Sequence, residues 1–233
     1  MTSVLVLCGG SPHAHDFRSI GDALTRTLEA AGSAVTIVGH PDEFARQIGA
    51  KWDLVIVHAL WWTMTGDAYD EWRPDWGYHT TPATARAIDD HVRCGGALLS
   101  LHTAPICFDD WPKWGEILGG AWEWGVSSHP PKRPFDLHFN QDHPMTRQLA
   151  SVVTLEDEVY GDMRMSPDSQ VLAVARRHPS DTPQPIVWTH DYGLGTVAHI
   201  GVGHDAHSIE HPAITLLITQ AVEWLTTRVT ART

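Results

Sequence analysis

The chain is predicted to fold as an α/β domain, a three-layer, doubly wound and mostly parallel sheet of flavodoxin-like type with an antiparallel extension in its C-terminal half. Three observations predict this. Short β-branched and leucine runs alternate with helical stripes through the first half of the chain. Those runs end in glycine-rich or polar loops, as buried parallel strands do. In the second half, strand-like pieces lie close together, some joined by turn signals.

Taken in order, residues 3–7 (Ser3-Val4-Leu5-Val6-Leu7) read as a strand that stops at Gly9-Gly10. Residues 17–31 carry apolar positions at Ile20, Ala23, Leu24, Leu28 and Ala31, a helical stripe closed by Gly32. A strand over 34–38, a short helix over 41–48 and a strand over 53–57 follow. Residues 58–80 are rich in Trp, Gly, Pro and Asp and read as a loop. Pro82 opens a helix that runs to about Val92. Gly95-Gly96 breaks it, and 97–101 is a fourth strand ending at His102. Later strands are expected at 135–139, 152–155, 171–174, 186–190 and 196–200, with Asp191-Tyr192-Gly193 as a turn, and 214–225 closes the chain as an amphipathic helix. Neither a repeat nor a linker interrupts this order, so residues 1–233 are expected to form one domain.

Composition narrows the function. The 233 residues carry a formal charge of −12, too little positive surface for a nucleic-acid backbone or an anionic membrane. No apolar run reaches the ~20 residues of a transmembrane helix, and the first strand begins without a basic leader. Three cysteines at unrelated spacings suit reduced thiols, and a cytoplasmic location is expected. Sixteen histidines and eleven tryptophans are many for this length, and eight of the tryptophans fall between Trp61 and Trp124. Such a cluster predicts an aromatic surface, part of it packing, with flat faces suited to sugar rings.

In an open parallel sheet, ligands bind beyond the carboxyl ends of the strands. Three segments put a histidine just past a strand there: His15 with Asp16, His58 ahead of Trp61 and Trp62, and His102 after Ser100-Leu101. G-x-G-x-x-G, a Walker lysine motif and G-x-S-x-G are all absent, so neither NAD nor a nucleotide nor a serine nucleophile is expected. Further on come Trp122 and Trp124 leading to Ser127-Ser128-His129-Pro130, then Asp142-His143-Pro144, Asp157-Glu158-Val159-Tyr160, and a last strand ending in Gly201-Val202-Gly203-His204-Asp205. Asp142-His143-Pro144 reads as a turn, with the Asp side chain capping the backbone that follows.

The order and spacing of these motifs, from the first strand to the closing helix with Trp224, resemble the ThuA-like (trehalose-utilisation) family. The resemblance implies the scaffold of class I glutamine amidotransferases. Where those enzymes carry a nucleophilic cysteine, this chain has Ser100-Leu101-His102-Thr103-Ala104, and Cys107 lies further on without flanking glycines. Glutamine hydrolysis is therefore not expected. The hairpin before the last strand also departs from the family, with Leu194 and Thr196 where a basic residue is usual.

The resemblance further implies a small-molecule sugar as partner, with a 3-keto glycoside or related disaccharide as substrate. A ketone at C3 acidifies the C2 proton, and abstraction followed by isomerisation or elimination is then the expected chemistry. His102, His129, Glu158 and His204 are the candidate catalytic residues. His15, Asp16, His58, Trp61, Trp62, Trp122 and Tyr160 are the candidate substrate-binding residues. Two alternatives remain: a non-catalytic sugar-binding or regulatory module, and a metal-dependent hydrolase. In the hydrolase, a divalent metal such as zinc would sit on His102, Glu158 and His204 with a position open to water. A homodimer is the default expectation for such a domain.

Overall fold

The structure, a computed structural model, describes residues 1–49 and 52–230. Its strands and helices run β1 (Thr2–Gly10), α1 (Phe17–Ala30), β2 (Ser33–Val38), α2 (Pro41–Ile48), β3 (Leu54–Leu60), α3 (Arg73–Trp76), α4 (Pro82–Arg93) and β4 (Ala97–Leu101). They continue with α5 (Lys113–Leu118), β5 (Gly120–Ala121), β6 (Arg133–Phe139), β7 (Val152–Asp157), β8 (Arg164–Met165), β9 (Gln170–Ala175), β10 (Gln184–Tyr192), β11 (Gly195–Ile200), α6 (Ala206–Glu210) and α7 (Pro212–Thr230).

Nine strands form one sheet in the order β2-β1-β3-β4-β11-β10-β9-β6-β7. The first five are parallel. From β11 onward every neighbour is antiparallel, which is the predicted extension. Strand alternation sorts the core into two layers. Val4, Val6, Leu54 and Ile56 pack with α1 and α7 on one face. Leu5, Leu7, Val55 and Val57 pack with α2, α4 and α5 on the other. Among the described residues, no helix is long and apolar enough to cross a membrane.

Several strands run further than predicted, and the extensions of β1 and β3 bear on the site. β1 continues through Gly9-Gly10, which is a close approach rather than a stop. A Cβ on Gly9 would lie 2.1 Å from the Gly39 carbonyl oxygen, and one on Gly10 2.6 Å from that of Leu60. Only glycine lets the three strands meet there. β3 continues to Leu60, so His58 lies inside a strand rather than past one. Helix α5 was not predicted, because Trp114 and Gly115 read as part of an aromatic loop. From β1 the chain passes to β2 on one side and then to β3 on the other. Strand order thus reverses beside β1, and the carboxyl ends of β1, β3, β4 and β11 open onto one crevice.

Candidate functional site

That crevice holds a cavity of about 340 Å³. His13 and His15 enter it from the loop after β1, Trp62 and Trp72 from the segment after β3, and Trp122, Trp124 and His129 from the stretch before β6. Glu158 and Tyr160 follow β7, and His204 follows β11. Glu158 is the one carboxylate among the lining residues. The walls are aromatic and paired: Trp62 stacks on Trp124 with ring centroids 4.5 Å apart, and His13 stacks on Trp72 at 4.7 Å.

Below the cavity, β4 ends in a turn at His102, which has φ 43, a conformation that non-glycine residues seldom adopt. The turn is held by backbone bonds. The His102 N–H donates to the Ile200 carbonyl at 2.9 Å, and its Nδ1 lies 3.2 Å from the Gly201 carbonyl. A carbonyl oxygen only accepts, so Nδ1 carries the proton and Nε2 is turned toward Glu158, 3.5 Å from Oε2. His58 is likewise pinned, its Nε2 donating to the Gly203 carbonyl at 2.7 Å. His15 donates from Nδ1 to the His204 carbonyl at 3.1 Å.

Asp157 organises the other side. The side chain is fully buried; Oδ1 accepts the Glu158 N–H at 2.7 Å, and Oδ2 accepts the N–H groups of Gly203 and His204 at 2.8 and 3.3 Å. Gly203 has φ 130, which turns its N–H to Asp157 and its carbonyl to His58. One glycine thereby links β7, β3 and the end of β11. Glu158 is the focus of the result. Its Oε2 lies 3.3 Å from His204 Nδ1, and its Oε1 lies 3.4 Å from His129 Nδ1.

Electrostatics follow from burial and charge. For Glu158, burial favours the neutral acid, but contacts with His102 and His204 and the charges of His102 and His129 outweigh it and hold the carboxyl below its ordinary range. Burial alone would lower His102; Glu158, Asp157 and the Gly201 carbonyl together raise it instead. His15 and His58 are both pushed down to about 3, chiefly by burial and then by the neighbouring imidazoles, so both rings are neutral. Tyr160 is pushed well up by burial and by the charges of Glu158 and Asp157, and remains a phenol.

The structure therefore brings together His15, His102, His129, Glu158, His204, Trp62, Trp122 and Tyr160. His102 is fully buried and touches the cavity only through its neighbours. Three expected binding residues lie elsewhere. Asp16 is the N-cap of α1, its carboxylate accepting from the backbone and hydroxyl of Ser19. His58 is buried under the floor, inside β3. Trp61 points to the opposite face of the sheet from Trp62, where its indole donates to the Gly39 carbonyl and packs against Trp76 and Tyr78. The tryptophan cluster splits in the same way, with Trp62, Trp72, Trp122 and Trp124 at the cavity and Trp61, Trp111 and Trp114 in the other layer.

In the turn at 142–144, the His143 ring, not the Asp142 carboxylate, accepts the Met145 N–H at 3.2 Å. Cys107 is buried, and its thiol donates to the Ala59 carbonyl. Burial pushes that thiol up to about 12. Asp157 and Gly203 were not predicted as functional. The signal available was the pairing of two acids at the end of β7 and a glycine directly before His204.

Residues 3–225 match the profile of the ThuA family, described as trehalose utilisation. No curated protein matches the chain in sequence. Among solved structures, a ThuA-like protein from Parabacteroides merdae superposes with a TM-score of 0.79 at 20% identity, covering 97% of this chain and 90% of that one. A ThuA-like protein from Bacteroides uniformis gives 0.73 at 17% identity, covering 96% and 91%. A β-galactosidase from Rahnella sp. R3 gives 0.64 at 14% identity, covering 96% of this chain but 31% of that one. These likenesses show the amidotransferase-like fold. With the family profile spanning nearly its whole length, the chain belongs to the ThuA (trehalose utilisation) family.

Proposed function

We propose that the cavity binds an oxidised sugar, a 3-keto glycoside or related disaccharide, and that Glu158 removes the proton at C2. One observation carries this reading: Glu158, the one carboxylate among the described residues that line a tryptophan-walled cavity, lies 3.5 and 3.3 Å from the imidazoles of His102 and His204. The flat faces of Trp62, Trp122 and Trp124 suit the apolar face of a pyranose. Membership of a family described as trehalose utilisation supports a sugar as the ligand.

The electrons move as follows. The C2–H pair forms a C2=C3 double bond, the carbonyl π pair moves onto the C3 oxygen, and Glu158 takes the proton. In elimination, the oxyanion reforms the ketone, C1=C2 forms, and the C1–O bond breaks toward the leaving alcohol, which takes up the proton. In isomerisation, the C2 hydroxyl proton passes to the C3 oxygen, C2=O forms as the C2=C3 pair takes up the proton from Glu158 at C3, and the ketone has moved from C3 to C2. A sugar face closing over Glu158 removes water from the carboxylate and raises its basicity toward the working range. The His204 ring, beside Glu158 and lining the cavity, is placed to donate to the developing oxyanion.

The test is NMR of 3-keto-trehalose in D₂O, with and without added Zn²⁺. Wild-type protein should exchange the C2 proton or release glucose, and Glu158→Gln should slow this by about 10²–10⁴-fold. Binding without exchange would make the protein a sugar-binding module. That result, or a Gln variant as fast as wild type, overturns the catalytic reading.

A further inference from the structure

Two of the imidazoles at the cavity floor have their tautomer set by the backbone. Nδ1 of His15 faces the His204 carbonyl, and Nδ1 of His102 faces the Gly201 carbonyl. Each Nδ1 therefore carries a proton, so in the neutral ring each Nε2 is a lone pair that a second proton or a metal ion can occupy. A backbone carbonyl on the far nitrogen is the arrangement that orients metal-binding histidines and raises their basicity.

The near nitrogens converge. One ring nitrogen from each of His15, His102 and His204 lies within 4.8 Å of the other two. The three ring centroids are 4.6, 5.2 and 5.5 Å apart. His102 Nε2 and His204 Nδ1 are buried and make no hydrogen bond among the described residues, yet they lie 3.5 and 3.3 Å from Glu158 Oε2. A bare imidazole lone pair set against a carboxylate oxygen repels it, and a proton or a metal ion held between them turns the contact favourable.

We infer that His15, His102 and His204 form a three-histidine site for a divalent first-row transition metal. The Glu158 carboxylate stands beside the ion, and a fourth position faces the cavity. Three neutral nitrogen donors suit zinc, cobalt or nickel and disfavour magnesium or calcium, which take oxygen ligands. Metal–nitrogen bonds of roughly 2.1 Å at tetrahedral angles place two donors about 3.4 Å apart. Closing a 4.8 Å span to that distance asks for about 1.4 Å shared among the three rings, and His204, with a quarter of its side chain exposed, has the most room to move. The ligand set differs from a His102–Glu158–His204 trio: His15, brought in by the loop after β1, replaces the carboxylate. The site stands on the imidazole geometry alone and does not depend on the identity of the sugar.

The experiment uses untagged, chelator-stripped protein titrated with CoCl₂ and read by the visible absorption of bound Co²⁺. Metal retained after desalting is counted by mass spectrometry. One Co²⁺ per chain is expected, displaced by ZnCl₂ and untouched by MgCl₂. His15→Ala and His204→Ala should weaken Co²⁺ binding by more than about tenfold. His79→Ala, at an exposed histidine outside the cavity, should not. His204 is partly exposed, so its variant should remain folded, as a circular-dichroism melt would verify. Folded wild-type protein that retains no Co²⁺, or His15 and His204 variants that bind as tightly as wild type, overturns the inference. Because the readout is metal binding, its failure leaves proton abstraction by Glu158 standing, and the reverse also holds.

Discussion

Replacing Asp157 by Asn should destabilise the protein by about 2–3 kcal/mol while leaving every apolar contact in place. The carboxylate accepts three backbone N–H groups at 2.7, 2.8 and 3.3 Å from a fully buried position. An amide has one acceptor oxygen. Turned to keep the Gly203 and His204 bonds, it sets its own NH₂ against the Glu158 N–H; turned the other way, it loses two bonds. The milder choice still leaves one buried donor unpaired and two bonds without charge assistance. A lost bond to a charged acceptor costs about 1.5–3 kcal/mol, and an unsatisfied buried donor about 1–3, the two figures describing one event and not adding. For a chain of this length, 2–3 kcal/mol corresponds to a fall of roughly 5–10 °C in Tm. Thermal melts followed by circular dichroism give the shift, and hydrogen exchange should show earlier opening at 203–205. An Asn variant melting within a degree or two of wild type would refute the role given to Asp157.

Three further outcomes follow. Trp124→Ala should leave folding nearly unchanged, since that ring is 47% exposed, but should weaken sugar binding about tenfold or more in calorimetry. Trp61→Ala, one position from the cavity wall yet on the opposite face, should do the reverse, costing roughly 3–5 kcal/mol in urea unfolding. Equal effects of the two on affinity would contradict the assignment of faces. Acidification should also unfold the protein. His15 and His58 have folded values lowered from 6.5 to about 3, so their contribution is complete above the unfolded value and is lost as pH falls toward 3. By pH 5 each has lost about 2 kcal/mol. The contribution of His102, whose value is raised, runs the other way and is lost as pH rises. Urea melts at pH 7 and 5 should show net destabilisation at pH 5, up to about 4 kcal/mol from His15 and His58 together less the opposing contribution of His102, and His58→Asn should flatten the difference. Equal stability at both values would show that these rings are not buried as neutral bases.

The parallel half of the sheet was legible because strands buried on both faces leave long apolar runs, and β1, β3 and β4 are of that kind, whereas the edge strand β2 is only partly buried. Their ends were less so. A glycine pair looks like a turn in sequence, whereas Gly9-Gly10 is where three strands crowd together. Alternation along β3 does tell Trp61 from Trp62, since Val55, Val57, Ala59 and Trp61 share one face. The tryptophan count concealed that parity. His102, Glu158 and His204 could be matched because each closes a strand that ends at the same edge. His15 could be placed at that edge but not beside them, because the loop after β1 sets its position. Nothing local in the sequence shows that its Nδ1 meets the carbonyl of a residue 189 positions away.

The turn after β4 ties these features together. A left-handed residue there costs about 1–2 kcal/mol when it is not glycine. At His102 that cost is borne because the turn aims a side chain into the floor of the crevice while its N–H and Nδ1 are both held by carbonyls at the end of β11. That place holds no thiol; the imidazole is covered, and its Nε2 addresses Glu158. The nearby cysteine offers no substitute, since Cys107 is buried with a thiol pushed up to about 12. Whatever His102 does at this site therefore runs through its contact with Glu158, 3.5 Å from its Nε2, because burial keeps the ring itself out of the cavity.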